Sequence, residues 1–233
     1  MKSKKIISLF IAAVMAVSVF ALTPASASAK AKITYKKAAK VYKQDKTPIV
    51  KLSLKLPKIS GSSKVVKNIN SYFSKVKKKY VKAAKKVLTA AKNQLNESPD
   101  TFNCYQFTYA AKASYNKDGK LSFKVKTFVY TGGAHGLGTV SGVTFDKKTG
   151  KKLAVSKLTK YAPADLKKMI VAATNKKIDK DPDNFFEGAK ETVKNTKLNK
   201  FNCFLKDNYL YVVYQVYDIA PYAYGPIAVK IKL

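Results

Sequence analysis

The apolar positions of this chain change period several times along its length, and each change marks an element. In ITYKKAAKVYKQDKTPIVKLSLKLPKI, Val50, Leu52, Leu54 and Leu56 alternate with Lys51, Ser53 and Lys55, which predicts a strand with one face buried. The stretch ITYKKAAKVYKQ before it predicts a partner strand, joined through a turn at Asp45 to Pro48. Gly61, Ser62 and Ser63 suit a helix start. Beyond them Ile69, Phe73, Val76, Tyr80, Ala84, Val87, Ala91 and Leu95 recur in steps of three and four on one helical face, and Pro99 ends the run. Lysines cover the rest of that helix. Such a pattern also fits a helix lying on a membrane surface, but a stripe rich in tyrosine and alanine and lacking tryptophan favours packing on a sheet.

From Thr101 the period shortens to two. Tyr105, Phe107, Tyr109, Ala111, Ala113 and Tyr115 share one face of a long strand, a turn over Asn116, Lys117, Asp118 and Gly119 reverses it, and Leu121, Phe123, Val125, Thr127 and Val129 return. The return strand runs into TGGAHG, and GTVSGVTFD predicts a further strand with a turn at its exit. Pro163 and Asp165 suit the first turn of a helix whose apolar face is Leu166, Met169, Ile170, Ala173 and Ile178. The chain closes with a hairpin turned at Asp207 and Asn208 and a last strand reaching Leu233. This order predicts an α+β fold: antiparallel sheet or sheets with a long N-terminal helix and one or two shorter helices packed on them.

Charge and the first residues narrow the setting. Lys2, Lys4 and Lys5, an apolar run from Ile6 to about Ala21, and small residues ending at Ala29 read as a secretory signal peptide over 1–29, with retention as a membrane anchor the alternative. No later run approaches the ~20 apolar residues of a membrane span. All 46 basic residues are lysine; without the three in the signal, 43 face 13 acids, a net charge of about +30. Such a chain seeks anions, and the expected partner is an anionic cell-wall polymer or envelope surface of a Gram-positive type. A solvated lysine-rich surface is the plain alternative. Nucleic acid is disfavoured by the export signal and by the absence of arginine, the side chain that reads bases and phosphates bidentately. In an exported chain Cys104 and Cys203 are expected to form a disulfide, with two buried free thiols as the alternative.

Catalytic chemistry finds little support. His135 is the only histidine, there is no Gly-x-Ser-x-Gly elbow, and a zinc site from His135, Cys104 and Cys203 lacks ligand spacing. Asp179, Asp181 and Asp183 resemble the opening of a calcium loop, but Pro182 interrupts it, Asn184 stands where glycine is needed and Lys190 where an acid is needed. A solvated acidic helix start accounts for them better. No metal, no cofactor and no catalytic residue are predicted. Gly132, Gly133 and Gly136 suit a turn that needs positive φ, and a ligand approaching that bare backbone would meet His135 at its rim.

The combination of YTGGAHG, a following FDKKTGKKL, a helix, and FNCFLKDNYLYVVYQVYDIAPYAYGPIAVKI resembles the extracellular region of RsiV-type anti-sigma factors. The segment upstream of Gly132 resembles the module preceding the catalytic domain of PdaC-type peptidoglycan deacetylases. The resemblance implies a PdaC N-terminal-like module over 30–131 and an RsiV C-terminal-like module over 132–233, forming one compact unit. It also implies lysozyme binding, although the cytoplasmic sigma-binding segment and the deacetylase domain have no counterpart here, and a partner near +30 would repel a basic lysozyme. The expected function is therefore a secreted, non-catalytic binding module of the envelope, with Gly133, His135, Gly136, Pro221, Tyr222 and Tyr224 as binding residues. The alternatives are a receptor or inhibitor of lysozyme or another wall hydrolase, and a wall-glycan-modifying enzyme.

Overall fold

The computed structural model describes residues 8–11, 21–22 and 31–233, with side chains from Lys32 onward, so most of the expected signal segment lies outside the described residues. Eight strands, β1 Ala31–Gln44, β2 Thr47–Ile59, β3 Tyr105–Lys117, β4 Lys120–Tyr130, β5 Leu137–Asp146, β6 Asn202–Lys206, β7 Tyr209–Tyr214 and β8 Ile227–Lys232, form two sheets. The first has the order β1-β2-β3-β4-β5, with the short segments Ser8–Ile11 and Ala21–Leu22 both paired antiparallel to β1; the second is the meander β6-β7-β8. Helices α1 Lys64–Lys86, α2 Leu88–Glu97, α3 Pro163–Lys180 and α4 Ala189–Asn195 complete the α+β fold. The described residues divide into two compact units, the first comprising those up to 111 together with 126–138, the second 112–125 and 139–233. Strands β3, β4 and β5 each contribute a stretch to both.

In the first unit the period-two pattern of β2 is obeyed: Val50, Leu52, Leu54 and Leu56 are buried and Lys51, Ser53 and Lys55 exposed. The turn to β2 begins at Asp45 with φ 51°, a left-handed conformation that aspartate tolerates. Ser63 caps α1 by accepting a hydrogen bond from the Val66 amide at 3.3 Å. Ile69, Phe73, Ala84 and Ala91 of the expected stripe are buried and Val76, Tyr80, Val87 and Leu95 half-buried, so the stripe continues through a local break at Val87 that separates α1 from α2. Asn70 ties the helix to the end of β2, its amide accepting from the Ile59 N–H at 2.9 Å and donating to the Ile59 carbonyl at 2.8 Å. One pairing departs from the antiparallel expectation, since β3 runs parallel to β2, with Val50 opposite Tyr105 and Leu54 opposite Tyr109. The helical connection of α1 and α2 carries the chain back to the starting end of β2, and a crossover of that length makes the next strand parallel.

The second unit packs α3 and α4 with the meander around Leu166, Ile170, Val193, Leu205, Val212 and Ile231. Pro163 opens α3, and Leu166, Ile170 and Ile178 are buried as expected. Thr174 lies on the same buried face, its hydroxyl bonded to the Ile170 carbonyl and sharing a 2.8 Å hydrogen bond with the Tyr214 hydroxyl. The β3–β4 and β6–β7 turns repeat the aspartate device, with Asp118 at φ 50° and Asp207 at φ 53°. Ser122 is a second buried polar anchor. Its hydroxyl accepts from the Leu205 amide at 3.0 Å and the Thr144 hydroxyl at 2.8 Å.

The expected disulfide is not formed, and both cysteines are free. Cys203, on β6, packs into the second unit's apolar core, where burial pushes its thiol up to about 12. Cys104 precedes β3 in the first unit and directs its thiol to the Tyr105 carbonyl at 3.5 Å. Each sulfur is therefore engaged within its own unit.

Candidate functional site

In the first unit, the glycine-rich turn joins β4 to β5 and is built from the strand ends outward. Gly132 and Gly133 take φ 97° and 84°, the left-handed geometry the sequence predicts for them. Gly136 does not, and its role is close approach: a Cβ there would stand 2.3 Å from the Phe128 ring and 2.9 Å from the Val129 carbonyl oxygen. The Tyr130 hydroxyl donates to the Gly133 carbonyl at 3.0 Å, and the Tyr130 ring meets the buried Tyr105 ring edge-on at 6.3 Å. Burial, followed by the neighbouring Tyr130, raises the Tyr105 phenol above its ordinary value. His135 stands exposed at the tip of this braced turn, with Nδ1 at 3.2 Å from the Gly136 carbonyl oxygen. Among the described residues no group of three or more His, Cys, Asp or Glu side chains is placed to hold a metal.

The same unit carries a strongly charged face. Helix α1 contains nine lysines and no acid, and Lys77, Lys78, Lys82, Lys85 and Lys86 line a shallow groove of about 640 Å³ along it. On the first sheet Lys37 and Lys55 are direct cross-strand partners and both exposed, a like-charge pairing that opposes folding.

Pro221, Tyr222 and Tyr224 belong to the second unit. Pro221 precedes a tight 3₁₀ turn at Tyr222–Tyr224, which Gly225 ends at φ 61°. The loop leading there is held by the side chains of Gln215 and Asp218. Gln215 places its amide against Val140 of β5, accepting from the Val140 N–H at 2.9 Å and donating to its carbonyl at 2.7 Å, as a neighbouring strand would. The Asp218 carboxylate accepts from the Gln215 backbone N–H at 2.6 Å, closing a turn in which Tyr217 is forced to φ 68°. A bulky side chain in that region is strained, and such strain persists only where surrounding bonds determine it. Tyr217 is 53 % exposed and rests against Tyr222, ring centres 5.7 Å apart. Tyr224 is 49 % exposed and forms one wall of a groove of about 590 Å³ with Phe185, Asn184, Asp181, Lys177 and Lys180. The sequence singles out Tyr222 and Tyr224 but not Tyr217, because nothing local marks a tyrosine with left-handed backbone. The expected binding residues thus occupy two surfaces, Gly133, His135 and Gly136 on the first unit and Pro221, Tyr222 and Tyr224 on the second.

Residues 43–138 match the family described as deacetylase PdaC, and residues 149–233 match a protein family of unknown function, DUF3298. The fold is similar to that of a DUF3298 family member from Bacteroides fragilis NCTC 9343, with a TM-score of 0.66 at 20% identity over 87% of this chain and 90% of that one. It is also similar to a DUF3298 family protein from Pseudomonas aeruginosa PAO1, with a TM-score of 0.54 at 19% identity over 87% and 89% of the two chains. No curated protein matches the chain. The chain is therefore similar to the PdaC family over 43–138 and to DUF3298 over 149–233, and it shares its fold with solved DUF3298 members.

Proposed function

We propose that this chain is a secreted, non-catalytic module that holds anionic cell-wall polymers through the lysine face of α1. The observation that carries the reading is the composition of that face: nine lysines without an acid on 23 helical residues, flanking an open groove. Lys78, Lys82 and Lys86 follow one another at four-residue steps, so each sits about 6 Å further along the axis. Like charges at that spacing cost ~0.2–0.5 kcal/mol per pair in an isolated helix, a cost that a bound polyanion removes. The Lys37 and Lys55 pair adds charge of the same sign. The resemblance of the C-terminal half to RsiV-type extracellular regions and the signal-like first residues support an envelope address.

Sedimentation with purified Gram-positive walls, and titration with a soluble phosphodiester polymer, test the reading across a salt series. Affinity should fall steeply as salt rises from about 50 to 500 mM, because exposed charges are screened within about 10 Å or less at those strengths. Changing Lys78, Lys82 and Lys86 together to Gln should weaken binding at least about tenfold at low salt and flatten the salt dependence. Retention of full wall affinity by that variant, or wall binding indifferent to salt, would refute the electrostatic mechanism.

A further inference from the structure

The second unit presents aromatic rings to solvent in a way its packing does not require. Of the five large hydrophobic side chains exposed among the described residues, Phe186, Tyr217 and Tyr224 lie on two segments joined by a hydrogen bond from the Phe186 amide to the Ile219 carbonyl at 3.0 Å. Single exposed apolar residues are ordinary, but a concentration of them on one loop pair marks a contact surface. The backbone that carries two of them is held in a defined conformation. Tyr217 is held at φ 68° by the Gln215 and Asp218 turn, and Tyr224 by the 3₁₀ turn between Pro221 and Gly225.

Beside this loop, the groove walled by Tyr224 and Phe185 is open to solvent and has a volume in the range of small-molecule sites, which combine apolar walls with a few placed polar groups. Its polar groups are hydrogen-bonding ones: the Asn184 amide, the Asp181 carboxylate, which accepts from that amide, and the ammonium groups of Lys177 and Lys180. Its apolar walls are completed by Pro226, Ile227 and Ala228 beside the two rings. Apolar walls with two aromatic rings, set against an amide, a carboxylate and amines, suit a ligand that is apolar on its faces and hydroxylated around its edge. We infer that this groove is a saccharide site, in which a pyranose ring lays its C–H face on Tyr224 and Phe185 and its hydroxyls bond to Asp181, Asn184 and the two lysines. The site is independent of the lysine face of α1, and its ligand needs no charge.

A panel of uncharged oligosaccharides, built from glucose, mannose, galactose or N-acetylglucosamine, tests the assignment in 0.5 M salt, where attraction through α1 is screened. Nuclear magnetic resonance titration of the full chain should show saturable shifts at Phe185, Asn184 and Tyr224 with at least one class at a Kd below about 5 mM. Tyr224→Ala, at an exposed position, should weaken that binding about tenfold, and Asn184→Ala severalfold. The combined change of Lys78, Lys82 and Lys86 to Gln should leave it unaltered, which separates this site from the polyanion reading: either can fail while the other stands. Absence of binding by every class at about 5 mM, or equal binding by the Tyr224→Ala protein, would overturn the assignment. So would a concentration-dependent mass that Tyr224→Ala abolishes, since the rings would then serve contact between copies of the chain.

Discussion

Strand β5 contains two glycines whose replacement by alanine has opposite expected outcomes. In a strand interior glycine costs roughly 0.5–1 kcal/mol relative to alanine, so propensity alone predicts that Gly138→Ala and Gly142→Ala both stabilise. At Gly138 the nearest heavy atom to an added Cβ is the Thr127 carbonyl oxygen at 3.9 Å, an ordinary contact. At Gly142 the Cβ would stand 2.2 Å from the Cys203 carbonyl oxygen and 2.5 Å from the Phe204 Cβ. Both obstacles belong to β6 rather than to a mobile side-chain tip, so a strand must retreat by about 1 Å, and overpacking of this kind costs about 1–3 kcal/mol or more. The retreat also stretches the Leu205 amide from the Ser122 hydroxyl, now 3.0 Å away, at a buried site. The net expectation for Gly142→Ala is a loss of about 3 kcal/mol, against a gain of about 0.5 kcal/mol for Gly138→Ala. Urea unfolding followed by tyrosine fluorescence and far-ultraviolet circular dichroism measures both. A Gly142→Ala protein as stable as the parent would show that β5 and β6 are not packed backbone to backbone there, and the account of the second unit's core would have to be abandoned.

Three further outcomes are expected. Ser122→Ala leaves the buried Leu205 amide and Thr144 hydroxyl without their acceptor and should cost about 2 kcal/mol in the same unfolding assay; a change under 0.5 kcal/mol counts against the anchor. Mass spectrometry of the native, unreduced protein should find two free thiols, and a maleimide at pH 7 should label Cys203 only on unfolding, because burial both shields its thiol and pushes it up to about 12; rapid native labelling of Cys203 would contradict its placement. Burial raises the Asp146 carboxyl, but hydrogen bonds from Thr149 and from the Lys148 amide outweigh it and hold the group below its ordinary value. Its stabilisation is therefore present above the unfolded value near pH 4 and lost as pH falls through the lower folded value, so the stability gap between parent and Asp146→Asn should be full at pH 6 and shrink as the pH is taken below the unfolded value. A gap constant over that window would exclude the linkage.

What could be read from the sequence was local. The alternation at Val50, Leu52, Leu54 and Leu56, the helical stripe from Ile69 to Leu95 and the aspartate-led turns at Asp118 and Asp207 are set by neighbours within a few residues, and each appears where the pattern places it. Features that depend on distant partners were not legible. The parallel pairing of β2 with β3 follows from the length of the connection, Gly142 looks like any strand glycine until β6 lies against it, and Gln215 finds its partner Val140 seventy-five residues away. The cysteines show the same limit: matching FNC tripeptides and an exported setting suggest a bridge, but the folds of the two units engage each sulfur separately. At the glycine turn, composition gave the conformation of Gly132 and Gly133 and misassigned Gly136, because positive φ and close approach select the same residue for different reasons.

The two modes of recognition proposed above differ in kind. Attraction through the lysine face of α1 would act over a Debye length, with little demand on geometry, and would disappear with salt. Stacking on Tyr224 would act only at contact and would keep its attraction in salt. The structural investments match this division. α1 carries its charge on a plain helix secured by Val66, Ile69, Phe73 and Ala84, with no special device on the exposed side. The tyrosine loop is secured by a strained residue, a carboxylate-closed turn and a side chain that imitates a strand. Strain at Tyr217 opposes stability and persists only because the surrounding bonds determine it, which holds the loop leading to Tyr224 in one conformation. Low salt should therefore hold the chain on a polyanion whether or not Tyr224 is present, and high salt should leave only the saccharide binding that Tyr224 provides.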